Sequence, residues 1–261
     1  MTLRRPLRIL ACFAALGCGG SETSPVVDES PDAGFGPPAY VDAGSLDAAW
    51  ERTEGGFLLP DGGVIPSDRF ITKVVSFRRG PCSGFGLDQM PGIVLGPPVG
   101  GGSEMGSTDV FSLGNGGEIT VSFEPNAIVD GPGVDFIVFE NPFFIGGNPS
   151  DIYAEPGEVS VSEDGVHWTS FGCTDATQNP PYGLCAGWHP VYSNPANGIS
   201  PLDPTAAGGD GYDLSEVGVA RARYVRIVDK VMSEACPESG ARPDTNGFDL
   251  DAIAIVHAEL P

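Results

Sequence analysis

Basic residues are scarce in this sequence, and lysine is nearly absent. The chain holds 13 Lys and Arg against 35 Asp and Glu, which gives a formal charge of −22. Lysine occurs only as Lys73 and Lys230. Contacts to phosphate groups need clustered Lys and Arg side chains. The composition therefore argues against a protein that binds nucleic acid or an anionic lipid surface.

Long hydrophobic runs are also missing, as are the short motifs of common enzyme classes. No stretch of about 18 apolar residues occurs, which excludes a protein with several membrane-spanning helices. No H-E-x-x-H, G-x-S-x-G, P-loop or G-x-G-x-x-G pattern is present. No C-x-x-C occurs and the histidines lie in separate segments, so zinc is not indicated. We predict a protein without catalytic activity, in which His189 is the one histidine worth considering for a Ser-His-Asp site.

The first residues have the order of an export signal. Three arginines precede an apolar run from Ile9 to Leu16, and small residues surround Cys18. This run is too short to span a bilayer and is typical of a signal peptide. Ala15-Leu16-Gly17-Cys18 resembles the cleavage site of bacterial lipoproteins, whose cysteine carries the lipid, and Gly19 favours the outer membrane. We predict a signal peptide at 1–17 and lipidation of Cys18 at the outer membrane or cell surface. The alternatives are an ordinary signal peptide with an incidental cysteine and an N-terminal segment that is not cleaved.

Residues 18–60 have the composition of a disordered acidic tether. Pro, Gly, Ser and Asp dominate this segment. Such a segment buries too little apolar surface to offset the loss of chain entropy. We predict a spacer here, in which only the surroundings of Trp50 could form a brief helix or pack on the domain. One folded domain is expected at 61–261.

From residue 61 onward the pattern is that of short strands joined by turns. Ile119–Phe123 alternates apolar and polar residues, which predicts a half-buried strand, whereas Phe136–Phe139 is apolar throughout and suits a fully buried one. Further strands are predicted around 159–161, 167–171, 224–228 and 251–257. Several short strands without a helical period predict an all-β fold, and we expect a jelly-roll-type β-sandwich. Its long Gly- and Pro-rich loops lie at 80–117 and 172–215.

The cysteine count favours two disulfides. With Cys18 lipidated, four cysteines remain in an exported protein, and four allow three connectivities. Cys173 and Cys185 are close in sequence, and a bond between them would link the two ends of a loop segment. Cys82 and Cys236 would then form the second bond. We predict this pairing, with the other connectivities as alternatives.

Oxygen-bearing side chains are concentrated near the C-terminal end of the sequence. Asp244, Asn246, Asp249 and Asp251 lie within a short segment, and Glu140 ends another predicted strand. Ca²⁺ takes six to eight oxygen ligands at flexible spacing. Alternation on a strand places Asp249 and Asp251 on one face, where they repel each other unless a cation or an arginine lies between them. We predict a structural Ca²⁺ bound by these five residues. The alternative is a plain turn with aspartates that are solvated or paired with arginine.

Aromatic residues are the second signal in the long loops. Trp188, Tyr182, Tyr192 and Tyr212 fall in the 172–215 stretch. Exposed rings stack on sugar faces and also serve protein interfaces. We predict that these four bind a ligand; the alternative is that the rings fold back onto the core.

Four short sequence segments resemble segments of a known family. FENPF, AEPGEVSVSEDGVHW, ARYVRIVD and GFDLDAIAIVHA together resemble an uncharacterised family of bacterial cell-surface proteins, many of them lipoproteins. The resemblance covers roughly 70–258 and implies no catalytic residues, because the family has no established activity. SVSEDGVHW and ARYVRI are also similar to galactose-binding, discoidin-like jelly rolls. That similarity implies a sandwich that often binds Ca²⁺ and carbohydrate.

These observations lead to three hypotheses about function. The first is a surface-anchored lipoprotein with a non-catalytic domain that binds glycan or extracellular matrix material and holds a structural Ca²⁺. The second is a structural or adhesion protein that contacts other proteins. The third is a Ca²⁺-assisted hydrolase. Neither nucleic acid nor a membrane contact beyond the lipid anchor is expected.

Overall fold

The computed structural model describes most of the chain after residue 50. The described residues are 27–28 (backbone only), 50–173, 181–230, 236 and 246–261. The predicted signal peptide, the lipidation site Cys18, most of the predicted tether and Asp244 lie outside them. No helix in these ranges is long and apolar enough to cross a membrane.

Short strands carry the fold. In chain order they are β1 (Val27–Asp28), β2 (Arg52–Thr53), β3 (Gly56–Leu58), β4 (Val64–Pro66), β5 (Lys73–Arg78), β6 (Phe111–Ser112), β7 (Glu118–Ser122), β8 (Ala127–Val129), β9 (Phe136–Phe139), β10 (Phe143–Phe144), β11 (Ile152–Tyr153), β12 (Gly157–Ser162), β13 (Thr169–Ser170), β14 (Asp210–Tyr212), β15 (Arg221–Ala222), β16 (Tyr224–Asp229), β17 (Asp249–Leu250), β18 (Ala252–Ile255) and β19 (Ala258–Glu259). Helical structure in the described chain is limited to short 3-10 turns at Ser67–Arg69, Leu87–Gln89, Gly92–Val94, Ile145–Gly147 and Leu214–Val217. Frequent Gly and Pro disfavour longer helices. The prediction of an all-β fold is confirmed.

The largest sheet has six strands in the order β1-β5-β7-β16-β12-β13. Its neighbouring pairs are antiparallel, except that β1 and β5 run parallel. In β16 every second side chain is buried, beginning with Val225, as the alternation of a strand requires. The register places Val225 opposite Val121 on one side and Val161 on the other. These valines share a face of the sheet that contributes to the main core.

A second layer packs on that face. It includes the three-stranded sheet β14-β9-β18, and smaller sheets β15-β8-β19 and β17-β6 are also present. Phe136 and Val138 of β9 join the valines of the large sheet in one hydrophobic core. The Tyr212 ring stacks on Phe136 with centroids 5.1 Å apart and meets Phe171 edge-on at 4.7 Å. The main core therefore lies between two β layers.

Strand β9 is buried on both faces, as its continuous apolar run predicts. Its alternate residues Ile137 and Phe139 belong to a second core, which includes Trp50, Phe57 and Phe70. Phe57 belongs to the small antiparallel sheet β2-β3-β4. This sheet lies on the side of β9 that faces away from the main core, so both faces of the strand are covered.

The folded part begins earlier than the boundary predicted at residue 61. Trp50 is only 3% exposed, and its Nε1–H donates a hydrogen bond to the Pro98 carbonyl oxygen at 3.0 Å. The backbone of Val27–Asp28 also pairs with β5. The tether prediction is corrected for residues 50–60, where the stated possibility that Trp50 packs on the domain holds: apolar side chains at 50–59 complete the second core.

The strands predicted at 159–161 and 167–171 pair as a hairpin, but the second strand is shorter than predicted. The pairing is confined to Thr169–Ser170, opposite Val161 and Ser160. The Asp164 carboxylate accepts hydrogen bonds from the backbone N–H groups of Val166 and His167, each at 2.8 Å. These bonds satisfy backbone donors within the turn and delay the start of the strand.

Both predicted disulfides are confirmed. Cys82 and Cys236 are bonded with Cα atoms 5.4 Å apart, and Cys173 and Cys185 with Cα atoms 4.6 Å apart. The second bond lies in a small apolar cluster with Tyr182. The two bonds anchor the long Gly- and Pro-rich loops that have little regular structure.

Candidate metal centre

Three carboxylates converge at one edge of the second layer. Glu140, Glu155 and Asp249 each place one carboxylate oxygen so that the three oxygens lie within 4.8 Å of one another. Glu140 directly follows β9, Asp249 lies in β17 and Glu155 precedes β12. Residues far apart in sequence thus form one acidic cluster, here called the acid cluster.

Backbone pairing explains how the acid cluster forms. Strand β18 runs antiparallel to β9, and the Asp251 N–H just before it donates to the Phe139 carbonyl oxygen at 3.0 Å. The Asp249 N–H, two residues earlier, donates to Glu140 Oε1 at 3.1 Å. On the other side, the Gly247 N–H donates to Glu155 Oε1 at 2.7 Å. Each glutamate is therefore oriented by a backbone amide of the 247–251 segment.

Gly247 cannot readily be replaced by another residue. Its φ is +78°, and an added Cβ would lie 2.6 Å from backbone atoms of Gly114. A left-handed φ and a close backbone approach both favour glycine. The bend at Gly247 therefore positions the amide that holds Glu155.

The acid cluster contains buried oxygens without partners. Glu140 is 1% exposed, and neither its Oε2 nor Oε2 of Glu155 has a hydrogen-bond partner. Asp249 is better satisfied, because it accepts hydrogen bonds from Ser112 Oγ and from Asn141 Nδ2. Among the described residues, no lysine or arginine forms an ion pair with any of the three carboxylates. Buried polar atoms are normally paired, so two orphan carboxylate oxygens at one place call for an absent partner.

Burial of these like charges raises their pKa values. Burial is the main cause for Glu155, whose pKa rises to about 9, with the charge of Asp249 as the next cause. The pKa of Asp249 rises to about 7 through burial, although hydrogen bonds from Ser112 and Asn141 oppose the shift. Burial and then the charges of Asp249 and Glu155 raise the pKa of Glu140 well above its usual range. A bound cation would stabilise the ionised forms and reverse these shifts.

A pocket of about 290 Å³ opens onto the acid cluster. Glu155 and Asp249 line it, together with Asn141 and the rings of Phe143 and Tyr153. These two rings face each other across the β10–β11 pair, with centroids 5.3 Å apart and planes 20° apart. Tyr153 is 43% exposed. The pocket therefore combines carboxylates with a stacked aromatic pair, which we call the ring pair.

The structure brings together two of the five residues predicted to bind Ca²⁺. Glu140 and Asp249 belong to the acid cluster, whereas Asp251 lies outside it. Asp251 is buried, and its carboxylate accepts the Val99 N–H at 3.0 Å. Asn246 lies at the Cys82 loop, where its N–H donates to the Cys82 carbonyl oxygen at 3.1 Å. The expected sharing of one site by Asp249 and Asp251 is therefore corrected, because each carboxylate is held by a different loop.

Glu155 was missed by the sequence analysis. It lies between two strands in the AEPGEV word, at the same kind of strand–loop junction as Glu140. The signal in the sequence that could have identified Glu155 is an acidic residue at a predicted strand–loop junction. Only the fold shows that its junction meets the 247–251 segment.

The four aromatic residues predicted to bind a ligand are not equally accessible. Tyr212 is 2% exposed within the main core, and Tyr182 is 5% exposed beside the Cys173–Cys185 bond. For these two the alternative holds, because their rings complete hydrophobic clusters. Tyr192 is 39% exposed, and Trp188 is half-buried with its ring 3.8 Å from that of His189.

A second group of carboxylates is less suited to a cation. Asp130, Asp135 and Asp213 also place oxygens within 4.8 Å of one another. However, Asp135 already accepts hydrogen bonds from the N–H groups of Gly131 and Leu214 and contacts His257. Its role is explained by these bonds, and we assign no ion there.

The raised pKa values predict how the ion-free protein responds to pH. A carboxyl with a folded-state pKa of about 9 and an ordinary value of 4.5 holds a proton that the unfolded chain releases. Stability in EDTA should therefore fall as the pH rises from about 5 to about 9, by up to about 1.4 kcal/mol per pH unit for each such proton. Thermal unfolding between pH 5.5 and 8.5 measures this slope. Saturating Ca²⁺ should flatten it, because the ion binds the deprotonated cluster. A midpoint in EDTA that does not fall over this range would contradict the burial of these charges.

Comparisons with known proteins add little to this geometry. No family model matches the chain, and no curated protein matches it. One solved structure with partial likeness is named "Glycoside hydrolase"; the identity is 11% and the TM-score 0.26. The alignment covers 57% of this chain and 22% of that chain, so this chain spans about a fifth of its length. A likeness at this score carries no argument, and the resemblance to the bacterial cell-surface family stays a prediction.

Proposed function

We propose that this protein is a surface-anchored lipoprotein whose domain is a non-catalytic, Ca²⁺-dependent binding module for glycan or extracellular matrix material. The observation that carries the proposal is the convergence of Glu140, Glu155 and Asp249, with two unpartnered oxygens, beside the ring pair. The anchor rests on the signal pattern before Cys18. We propose in addition that the β layers of the domain form a jelly-roll-type sandwich.

The chemistry of the acid cluster favours Ca²⁺ over other common ions. Its ligands are carboxylate oxygens, which hard cations prefer, and it holds neither imidazole nor thiolate. Mg²⁺ demands near-ideal octahedral geometry, whereas Ca²⁺ accepts irregular sets of oxygens. Three carboxylates contributed by separate segments of the chain suit the more tolerant ion.

Calorimetric titration of the full chain with Ca²⁺ tests the site and its residues. We expect Glu155→Gln to weaken Ca²⁺ binding by at least about 10-fold, because it removes a charged ligand. Asp251→Asn should leave the affinity within about 2-fold, since Asp251 lies outside the acid cluster. Glu216→Gln, an exposed residue far from the cluster in sequence, is the matched control for charge.

Two results would contradict the proposal. One is the absence of measurable Ca²⁺ binding by the unaltered chain. The other is the reverse order, in which Asp251→Asn abolishes binding and Glu155→Gln does not. That order would favour the predicted Asp249–Asp251 pair over the acid cluster.

A further inference from the structure

We propose that the bound Ca²⁺ contacts the ligand directly: it binds two neighbouring hydroxyl oxygens of a neutral sugar, whose carbon face packs on the ring pair of Phe143 and Tyr153. This inference rests on the proposed Ca²⁺ site. It assigns the ion a role in recognition, whereas the sequence alone indicated a structural ion. It also names the ligand class as a neutral glycan with a vicinal diol.

The protein can supply only part of the oxygen ligands that Ca²⁺ needs. Glu140 Oε1 and Glu155 Oε1 each accept a backbone N–H, so each glutamate keeps one free oxygen, its Oε2. Both oxygens of Asp249 also accept hydrogen bonds. Carboxylates held in this way favour one oxygen each for the ion, about three in all. Because Ca²⁺ takes six to eight oxygens, about three or more positions must be filled from elsewhere.

The unfilled coordination positions of the ion lie on the side of the pocket. Glu140 is 1% exposed, whereas Glu155 and Asp249 line the pocket of about 290 Å³. An ion among the three carboxylates therefore has Glu140 on its buried side and the pocket on its open side. The unfilled positions face a space that can hold a ligand as well as water.

The size and the lining of the pocket suit one sugar unit. Its volume lies near the lower end of ligand pockets, which fits one sugar unit rather than a long chain. The ring of Tyr153 is 43% exposed and stacked on Phe143, and flat exposed rings pack well against apolar sugar faces. Ser107 also lines the pocket and adds a hydroxyl for hydrogen bonds at the rim.

The charge of the pocket favours a neutral ligand. Three carboxylates with one divalent ion leave the pocket net negative, and the whole chain carries −22. Like charge disfavours uronates and other acidic sugars. A neutral diol gains ion coordination without that repulsion, so neutral glycans are the expected ligands.

Affinity electrophoresis of the full chain tests the proposal, with mannan, galactan and dextran as neutral probes. We expect retardation on at least one polysaccharide in Ca²⁺, loss of it in EDTA, and loss after periodate treatment, which cleaves vicinal diols. Polygalacturonate should retard the protein less than the best neutral probe.

Substitutions at the ring pair separate ligand binding from ion binding. Tyr153→Ala should weaken retardation by about 10-fold relative to Tyr153→Phe, equivalent to about 1.4 kcal/mol, because both variants lose the hydroxyl that hydrogen-bonds Glu155 and only the alanine variant loses the ring. The calorimetric Ca²⁺ affinities of these two variants should be equal, because both keep Glu140, Glu155 and Asp249. Trp168→Ala, which removes a half-buried ring from the turn between β12 and β13, is the matched control.

The outcomes distinguish this inference from the proposed function. Ca²⁺ binding without retardation on any of the three neutral polysaccharides would overturn the direct contact and leave the Ca²⁺ site standing. Retardation that survives EDTA or periodate would overturn it as well. Failure of Ca²⁺ binding itself would overturn the proposed site and, with it, this inference.

Discussion

Replacing Trp50 with alanine is expected to lower the free energy of unfolding by about 3–5 kcal/mol, the usual cost of emptying a buried aromatic site. Trp50 is 3% exposed and belongs to the second core with Phe57 and Phe70. The substitution also removes the donor to the Pro98 carbonyl oxygen. It leaves a cavity beside β9, the strand on which both cores depend. Urea unfolding of the full chain measures the loss.

Trp168→Ala is the matched control for this prediction. Trp168 is half-buried, and the guanidinium of Arg226 lies over its ring at 4.4 Å. Removing a partly exposed ring with a cation–π contact should cost only about 1 kcal/mol. If Trp50→Ala costs no more than Trp168→Ala, the segment around Trp50 lies outside the cooperative fold. The boundary predicted at residue 61 would then be correct.

Glu140→Gln is expected to have opposite effects with and without Ca²⁺. In EDTA near pH 7 the variant should be more stable by about 1–3 kcal/mol, because a buried carboxyl whose pKa is raised is costly at that pH and glutamine is not. Glutamine keeps an oxygen to accept the Asp249 N–H, which now reaches Glu140 Oε1 at 3.1 Å. The packing is therefore preserved while the charge is lost.

In Ca²⁺ the advantage should disappear. At 100 times the dissociation constant, the ion adds about 2.7 kcal/mol to the unaltered chain, a rise in the thermal midpoint of about 5–10 °C for a domain of this size. The variant should rise by less than about 2 °C. Thermal scans in EDTA and in Ca²⁺ measure both effects, with Glu216→Gln as the control. A variant that is destabilised in EDTA, or that keeps the full Ca²⁺ response, would show that Glu140 is not a ligand.

Much of the fold was predictable because it depends on local patterns. Alternation in β16 and the continuous apolar run of β9 each reflect which faces of a strand are covered. The pairing of Cys173 with Cys185 followed from short separation and left one partner for Cys82. The lack of a helical period favoured strands over long helices.

The identity of the candidate site could be predicted only in part. Acids at strand ends pointed to Glu140 and Asp249, because a strand terminus is where a polar side chain can leave the core. The same sequence gave no sign that Glu155 meets them. Tyr212 looked like a loop aromatic, yet its strand pairs with β9 and buries the ring.

The sequence by itself therefore determined the all-β class, several central strands and the excess of acid, and it favoured the disulfide pairing. Only the tertiary structure decided which acids converge, since Asp249 and Asp251 are separated by one residue and have different partners, whereas Glu140 and Asp249 are distant in sequence and share a hydrogen bond. Strand register sets these meetings, and register depends on long-range pairing and on both cores at once. A pattern read along the chain does not contain that information.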